Sequence, residues 1–169
     1  MKEVVQLVEE MQAAGVIQNY ALFGAIAQMR YTEPIITFDV DVLIALAQPG
    51  RIDALSGVYQ FCAEKGYQPE GEAIRVGAWP VQFLPAYSGA TREALENVEM
   101  STIEGLSVRV VRPDYLAAIA LDTGRAKDHA RILALLESGK TSREQVEACA
   151  LRLGLGETWK RFAKRFLDG

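Results

Sequence analysis

Two carboxylates, Asp39 and Asp41, stand one residue apart inside the apolar stretch Ile35 to Leu46, shortly after a Gly24-Ala25 step that follows another apolar run. The β-branched and aromatic residues around them predict a strand. In a strand, residues i and i+2 share a face, so the two acids are expected side by side, with Phe38, Val40, Val42 and Ile44 on the opposite face. Like charges that close oppose each other's ionisation, and a bound divalent cation relieves the repulsion. The pair therefore points to a metal site serving phosphoryl or nucleotidyl transfer. The plainer alternative is an edge strand with one wet face, where Asp serves solubility.

The rest of the chain sets limits on that site. A chain of 169 residues, half of them hydrophobic, can bury a proper core as one domain or as a domain with a small appendage. No apolar run reaches the ~20 residues that span a bilayer. The first residues carry Glu3, Glu9 and Glu10 where a signal peptide has a basic start, so a cytoplasmic protein without membrane contact is expected. Cys62 and Cys149 have no CxxC or Cys/His spacing and are expected as buried, reduced thiols. With His129 the single histidine, a multi-histidine metal site is excluded, which leaves oxygen ligands and Mg2+ or Mn2+. The net charge of −4 argues against a protein coated in basic surface for nucleic acid. Its distribution is uneven: residues 1–111 hold 7 Lys/Arg against 14 Asp/Glu, and residues 112–169 hold 11 against 8.

Periodicity predicts a helix over residues 2–14 stopped by Gly15, a strand over 16–23, a short helix from Gly24 to Met29, a loop from Tyr31 to Pro34 and the carboxylate strand Ile35 to Leu46. A helix over 51–65, with Ile52, Leu55, Val58, Tyr59 and Cys62 on its apolar face, ends at Gly66. A hairpin follows, Glu72 to Val76 and Pro80 to Leu84, turned at Gly77-Ala78, then a short helix to Val98 capped by Thr91. A second β pair, Met100 to Ile103 and Leu106 to Val111, precedes a helix opened by Pro113 and running to Asp122. The remainder is expected to be helical: Lys127 to Glu137, a helix ending near Leu153 with Thr141-x-x-Glu144 and Ser142-x-x-Gln145 both shaped as capping boxes, and Glu157 to Leu167. The expected fold is α+β, a mixed β-sheet flanked by helices over residues 1–111, with a helical C-terminal subdomain over 112–169 packed on it.

The Gly24-Ala25 turn, the Asp39-Val40-Asp41 strand and a later Arg125-x-Lys127-Asp128 helix resemble the nucleotidyltransferases of the DNA polymerase beta superfamily, in particular the minimal bacterial nucleotidyltransferases and the related toxins. The resemblance covers roughly Val16 to Leu136. It implies transfer of a nucleoside monophosphate from a nucleoside triphosphate to a hydroxyl acceptor, with Asp39 and Asp41 as catalytic metal ligands for Mg2+ or Mn2+. Gly24 and Ala25 would approach the phosphates through backbone, and Arg125 and Lys127 would contact phosphate oxygens; Arg30, in the loop after the Gly turn, is either a further nucleotide contact or a solvated loop arginine. The toxin branch adds RNA or a protein as a possible partner.

The sequence departs from that family twice. Ala25 stands where the family has Gly or Ser, and Gln82, central in the strand Trp79 to Leu84, stands where it has a third carboxylate. Glu72 is the available substitute for that carboxylate, and a catalytically degenerate nucleotide- or partner-binding protein is the alternative function. Other residues have two readings each. His129 is either a proton relay or a partly buried surface residue, and Asp128 either acts or caps its helix. Trp79 and Tyr87 either stack on a base or, for Trp79, pack in the core. Lys160, Arg161, Lys164 and Arg165 of the last helix either contact RNA phosphates or form the wet face of an amphipathic helix.

Overall fold

The computed structural model describes residues 1–50 and 52–169. Its elements run α1 (Lys2–Ala13), β1 (Ile17–Phe23), α2 (Gly24–Gln28), β2 (Val40–Leu46), α3 (Ser56–Glu64), β3 (Gln68–Glu70), β4 (Ala73–Val76), β5 (Trp79–Pro85), α4 (Gly89–Glu96), β6 (Glu99–Ile103), β7 (Leu106–Val110), α5 (Pro113–Thr123), α6 (Ala126–Glu137), α7 (Arg143–Arg152) and α8 (Gly156–Phe166). The strands form one mixed sheet in the order β3-β4-β5-β2-β1-β7-β6. β2 lies near its middle, antiparallel to β1 and parallel to β5. The fold class is the expected α+β mixed sheet with C-terminal helices.

Both faces of the sheet are covered, because neighbouring residues of β1 bond to different helices. Tyr20 donates its hydroxyl to Glu9 on α1, while Asn19 donates to the Leu95 carbonyl of α4. Alternation along a strand sends these side chains to opposite faces. Val40, Val42, Leu43 and Ile44 of β2 are all buried, as a central strand requires. The C-terminal helices gather round α5, which packs on α6, α7 and α8 and also touches α2 and α4. Trp159, Phe162 and Ala163 of α8 are buried in this layer. Cys62 and Cys149 are free and buried, and burial pushes both thiols up to about 11.

Several boundaries differ from the sequence expectation, each for a local reason. β2 begins at Val40 rather than Ile35: its pairing with β1 ends at Phe23–Asp41, because the chain leaves the sheet at Gly24, and its pairing with β5 starts at Val40–Val81. Residues 35–38 are thus an exposed loop, and Phe38 faces solvent instead of sharing the buried face of Val40. The start predicted at Arg51 for the third helix lies outside the described residues; the observed α3 begins at Ser56, and Ile52 is fully exposed. The cap of α4 is Ser88, not Thr91: the Ser88 hydroxyl accepts from the Thr91 N–H while the Thr91 hydroxyl accepts from the Ser88 N–H, both at 3.1 Å. Of the two overlapping boxes before α7, Ser142 with Gln145 is the one that forms. The short strand β3, which completes the sheet edge beside β4, had no counterpart in the sequence expectation.

Candidate functional site

At the exit from β1 the backbone of Gly24 takes φ +59°, in the left-handed region where a side chain is strained. A Cβ built there would overlap the carboxylate of Asp41, which faces Phe23 across the β1–β2 ladder. Glycine is therefore required twice over at this position, and the consequence is a carboxylate seated directly against the start of α2. Asp41 is the one member of the acidic pair within β2; Asp39 lies in the bend just before it. Both are half-buried and both line a cleft of about 800 Å³ between α2, the 35–38 loop, the edge of β2 and β5, and α6.

The electrostatics of the pair follow from that placement. Burial raises the pKa of Asp41 above its ordinary value, and the neighbouring Asp39 raises it further, while Arg131, Lys127 and Arg125 pull it back. The Asp39 carboxylate is oriented from two sides: Thr37 donates its hydroxyl to Oδ1 at 3.2 Å, and Gln82 donates its amide to Oδ2 at 3.4 Å. The β2–β5 register sets Gln82 directly beside Asp41. The strand position identified from sequence for a third carboxylate is hence next to the pair, and an amide fills it.

Across the cleft, α6 presents cations. Lys127 is exposed and has no hydrogen-bond or ion-pair partner among the described residues. Arg131, one turn later on the same helix face, has a side chain only 15 % exposed, and its Nε donates to the buried Gln28 Oε1 at 3.0 Å. Burial lowers the pKa of Arg131, though Asp128 and Asp41 oppose that effect. Arg125 also lines the cleft, but its guanidinium is engaged with the buried Asp128, donating from Nε to Oδ2 at 2.6 Å. Burial works against ionisation of Asp128; the hydrogen bonds from the Arg125 side chain and backbone, with the charges of Arg125 and Arg131, outweigh it and hold the carboxyl below its usual range. Asp128 thus caps α6 and fixes Arg125 rather than facing the cleft.

Of the residues singled out by sequence, the structure brings together Gly24, Ala25, Asp39, Asp41, Gln82, Arg125 and Lys127, and leaves others out. Arg30 does not line this cleft: its Nε donates to Ser101 Oγ at 3.0 Å and its Nη2 to the Thr102 carbonyl at 3.2 Å, tying the end of α2 to β6. Glu72 is exposed in the turn between β3 and β4, and among the described residues no group of three or more His, Cys, Asp or Glu could hold a metal ion. His129 sits against the rings of Phe162 and Phe166, with centroids 5.6 and 5.1 Å away, on the α8 side of α6. Trp79 is partly buried against the core and Tyr87 is exposed; neither lines the cleft. Two participants were missed, Arg131 and Gln28. The spacing of Arg131 four residues after Lys127 was the available signal for the first; nothing in the sequence marked the second.

No protein-family model matches the sequence and no curated protein matches it. Solved structures do share its fold. An antigenic nucleotidyltransferase-like protein from Paracoccidioides brasiliensis superposes with a TM-score of 0.53 at 13 % identity, over 93 % of this chain and 90 % of its own. The antibiotic-resistance factor ANT(2'')-Ia superposes with a TM-score of 0.54 at 14 % identity, over 95 % of this chain and 94 % of its own. The fold is that of the nucleotidyltransferase-like proteins. No helix among the described residues is long and apolar enough to cross a membrane.

Proposed function

We propose that the cleft binds a nucleoside triphosphate together with one Mg2+ or Mn2+ and transfers the nucleoside monophosphate to an acceptor oxygen, releasing pyrophosphate. The observation that carries this reading is the placement of Asp39 and Asp41 in one cleft with Lys127 and Arg131 opposite. The donor set fits a single hard cation: two half-buried carboxylates supply oxygen ligands, and the burial and the neighbouring Asp39 charge that together raise the pKa of Asp41 are costs such a cation would offset. When bound, the ion would neutralise charge on the phosphates as pyrophosphate departs.

The other roles belong to the chain itself. Gly24 and Ala25 let the backbone come close to phosphate, as a helix start favours. Lys127 supplies a point charge to phosphate oxygens, and Arg131, held by Gln28, a pre-oriented fork. Gln82 and Thr37 hold Asp39 in place. Incubation with α-labelled triphosphates, a mixed pool of acceptors and Mg2+ tests the proposal: labelled product that disappears on chelation and in Asp39→Asn with Asp41→Asn supports it, and product formation indifferent to both changes refutes it.

A second reading is favoured by one observation, the amide at position 82. A protein of this fold that binds nucleotide without turning it over would keep the cleft and lack the third carboxylate. It predicts triphosphate binding with no pyrophosphate release from any acceptor pool, and a gain of release in Gln82→Asp.

A further inference from the structure

Two walls flank the cleft above the sheet, and both change character in the same sense. On α6, Lys127, Ala130, Arg131 and Ala134 share one face at spacings of three and four, and all line the cleft. At a helical rise of about 1.5 Å per residue they span about 10 Å, from the two cations to the methyl group of Ala134. Opposite them, the chain traced back from Asp39 passes from that carboxylate through Phe38, Thr37 and Ile36 to Ile35. The apolar ends of the two walls coincide, because Ile35 and Ala134 both also border the neighbouring cavity of about 680 Å³. The cleft is thus charged at the acidic pair and apolar where its walls leave that pair.

The apolar side chains of the loop wall are not absorbed by the core. Ile36 is 85 % exposed and Phe38 84 %, with Ile35 at 39 %. A single exposed apolar side chain is ordinary, but these three within residues 35–38 form a patch on the rim of a cleft. The backbone that carries the ring is also held. Thr37 shares its hydroxyl proton between the Asp39 carbonyl at 3.1 Å and Asp39 Oδ1 at 3.2 Å, which ties the loop to the carboxylate that follows it.

Resting on the nucleotide reading above, we propose that this rim binds the nucleobase: Phe38 stacks on the base of the triphosphate and Ile36 packs beside it. A nucleoside triphosphate has the same division as the cleft, a polyanionic chain at one end and a planar base with apolar faces at the other. With its phosphates between the acidic pair and the α6 cations, its nucleoside extends along the walls to where both turn apolar. Ala130 and Ala134 present only methyl groups there and leave width for a ring system opposite the loop. Every base has a π-face, so Phe38 supplies preference for a nucleotide over bare polyphosphate rather than a choice among bases.

Calorimetric titration in the presence of Mg2+ tests the assignment, with each nucleoside triphosphate and with inorganic tripolyphosphate, on the wild type, Phe38→Ala and Phe38→Tyr. The expected result is that the wild type binds nucleoside triphosphates more tightly than tripolyphosphate. Phe38→Ala should weaken the nucleoside triphosphates about tenfold and leave tripolyphosphate unchanged, and Phe38→Tyr should restore the difference. Unchanged nucleoside triphosphate affinity in Phe38→Ala overturns the proposal. So does an equal loss for both ligands, since the ring would then act through Asp39 and not on a base. Binding of neither ligand by the wild type overturns the nucleotide reading itself, and the base contact falls with it.

Discussion

Two basic helix faces close the C-terminal part of the chain, and they are alike in sequence but not in surroundings. On α6, Lys127 and Arg131 look across a cleft at two carboxylates, and Arg131 is mostly withdrawn from water and held by a buried glutamine. On α8, Lys160, Arg161, Lys164 and Arg165 are all exposed, and the bonds there are local: Lys160 to Glu157 at 2.7 Å and Arg161 to Thr158 at 3.2 Å. A charge withdrawn from water opposite fixed counter-charges, as Arg131 is, acts more strongly on a ligand than solvated charges paired within one turn. The sequence count of positive residues favours α8. The geometry favours α6.

The largest effect that would break this contrast lies at the partner of the α6 face. Replacing both Asp39 and Asp41 with Asn should reduce transfer at least about a thousandfold, since metal-assisted charge stabilisation is worth several kcal/mol. A smaller loss in initial-rate measurements would mean that the acids are solvated bystanders like the α8 charges. Next, Arg131→Met or Lys127→Met should weaken triphosphate binding about 10- to 100-fold, the equivalent of one hydrogen bond to a charged group at ~1.5–3 kcal/mol. Titration calorimetry reads that directly.

The pKa of Asp41 is raised in the folded protein, so its ionisation disfavours the fold: stability is fullest below the ordinary carboxylate range and falls as pH rises through the raised value. Asp41→Asn removes that cost. Without added metal it should raise the melting temperature near neutral pH, and the gain should shrink as pH falls and vanish by about pH 3, where the carboxyl is largely protonated in both states. A variant that melts lower at neutral pH would show that Asp41 is a net structural asset. Gly24→Ala should do the reverse, costing about 1–3 kcal/mol through strain at positive φ and pushing the Asp41 carboxylate aside. The smallest effect belongs to α8: Lys160→Ala with Lys164→Ala should leave triphosphate affinity unchanged and move stability by no more than about 0.5 kcal/mol.

What the sequence made legible was whatever rests on local pattern. The turn at Gly24, the acidic pair, the Ser142–Gln145 capping box and the alternation of β2 are read from neighbours a few residues apart, and the fold class followed from their order. The Gln82 position was also identified, because the family resemblance places a third carboxylate on a neighbouring strand, and the observed register sets that position beside Asp41. Long-range placement was not legible. Ile35 to Phe38 has strand composition, but a strand needs a partner, and β1 ends where Gly24 turns away. Arg30 looked free to approach a nucleotide until β6, some seventy residues later, supplied its acceptors. Arg131 was not singled out, because the glutamine that accepts from it, Gln28, lies more than a hundred residues earlier.

In the proposed function, Asp39 and Asp41 with the α6 cations form one site for a metal-bound triphosphate. Calorimetric titration of Mg2+ and each nucleoside triphosphate into three proteins measures it: the wild type, Asp39→Asn with Asp41→Asn, and Lys160→Ala with Lys164→Ala. The prediction is binding by the wild type that is lost on chelation and in the Asp variant and preserved in the α8 variant. Binding in the Asp variant as tight as in the wild type, or none by the wild type, would contradict it.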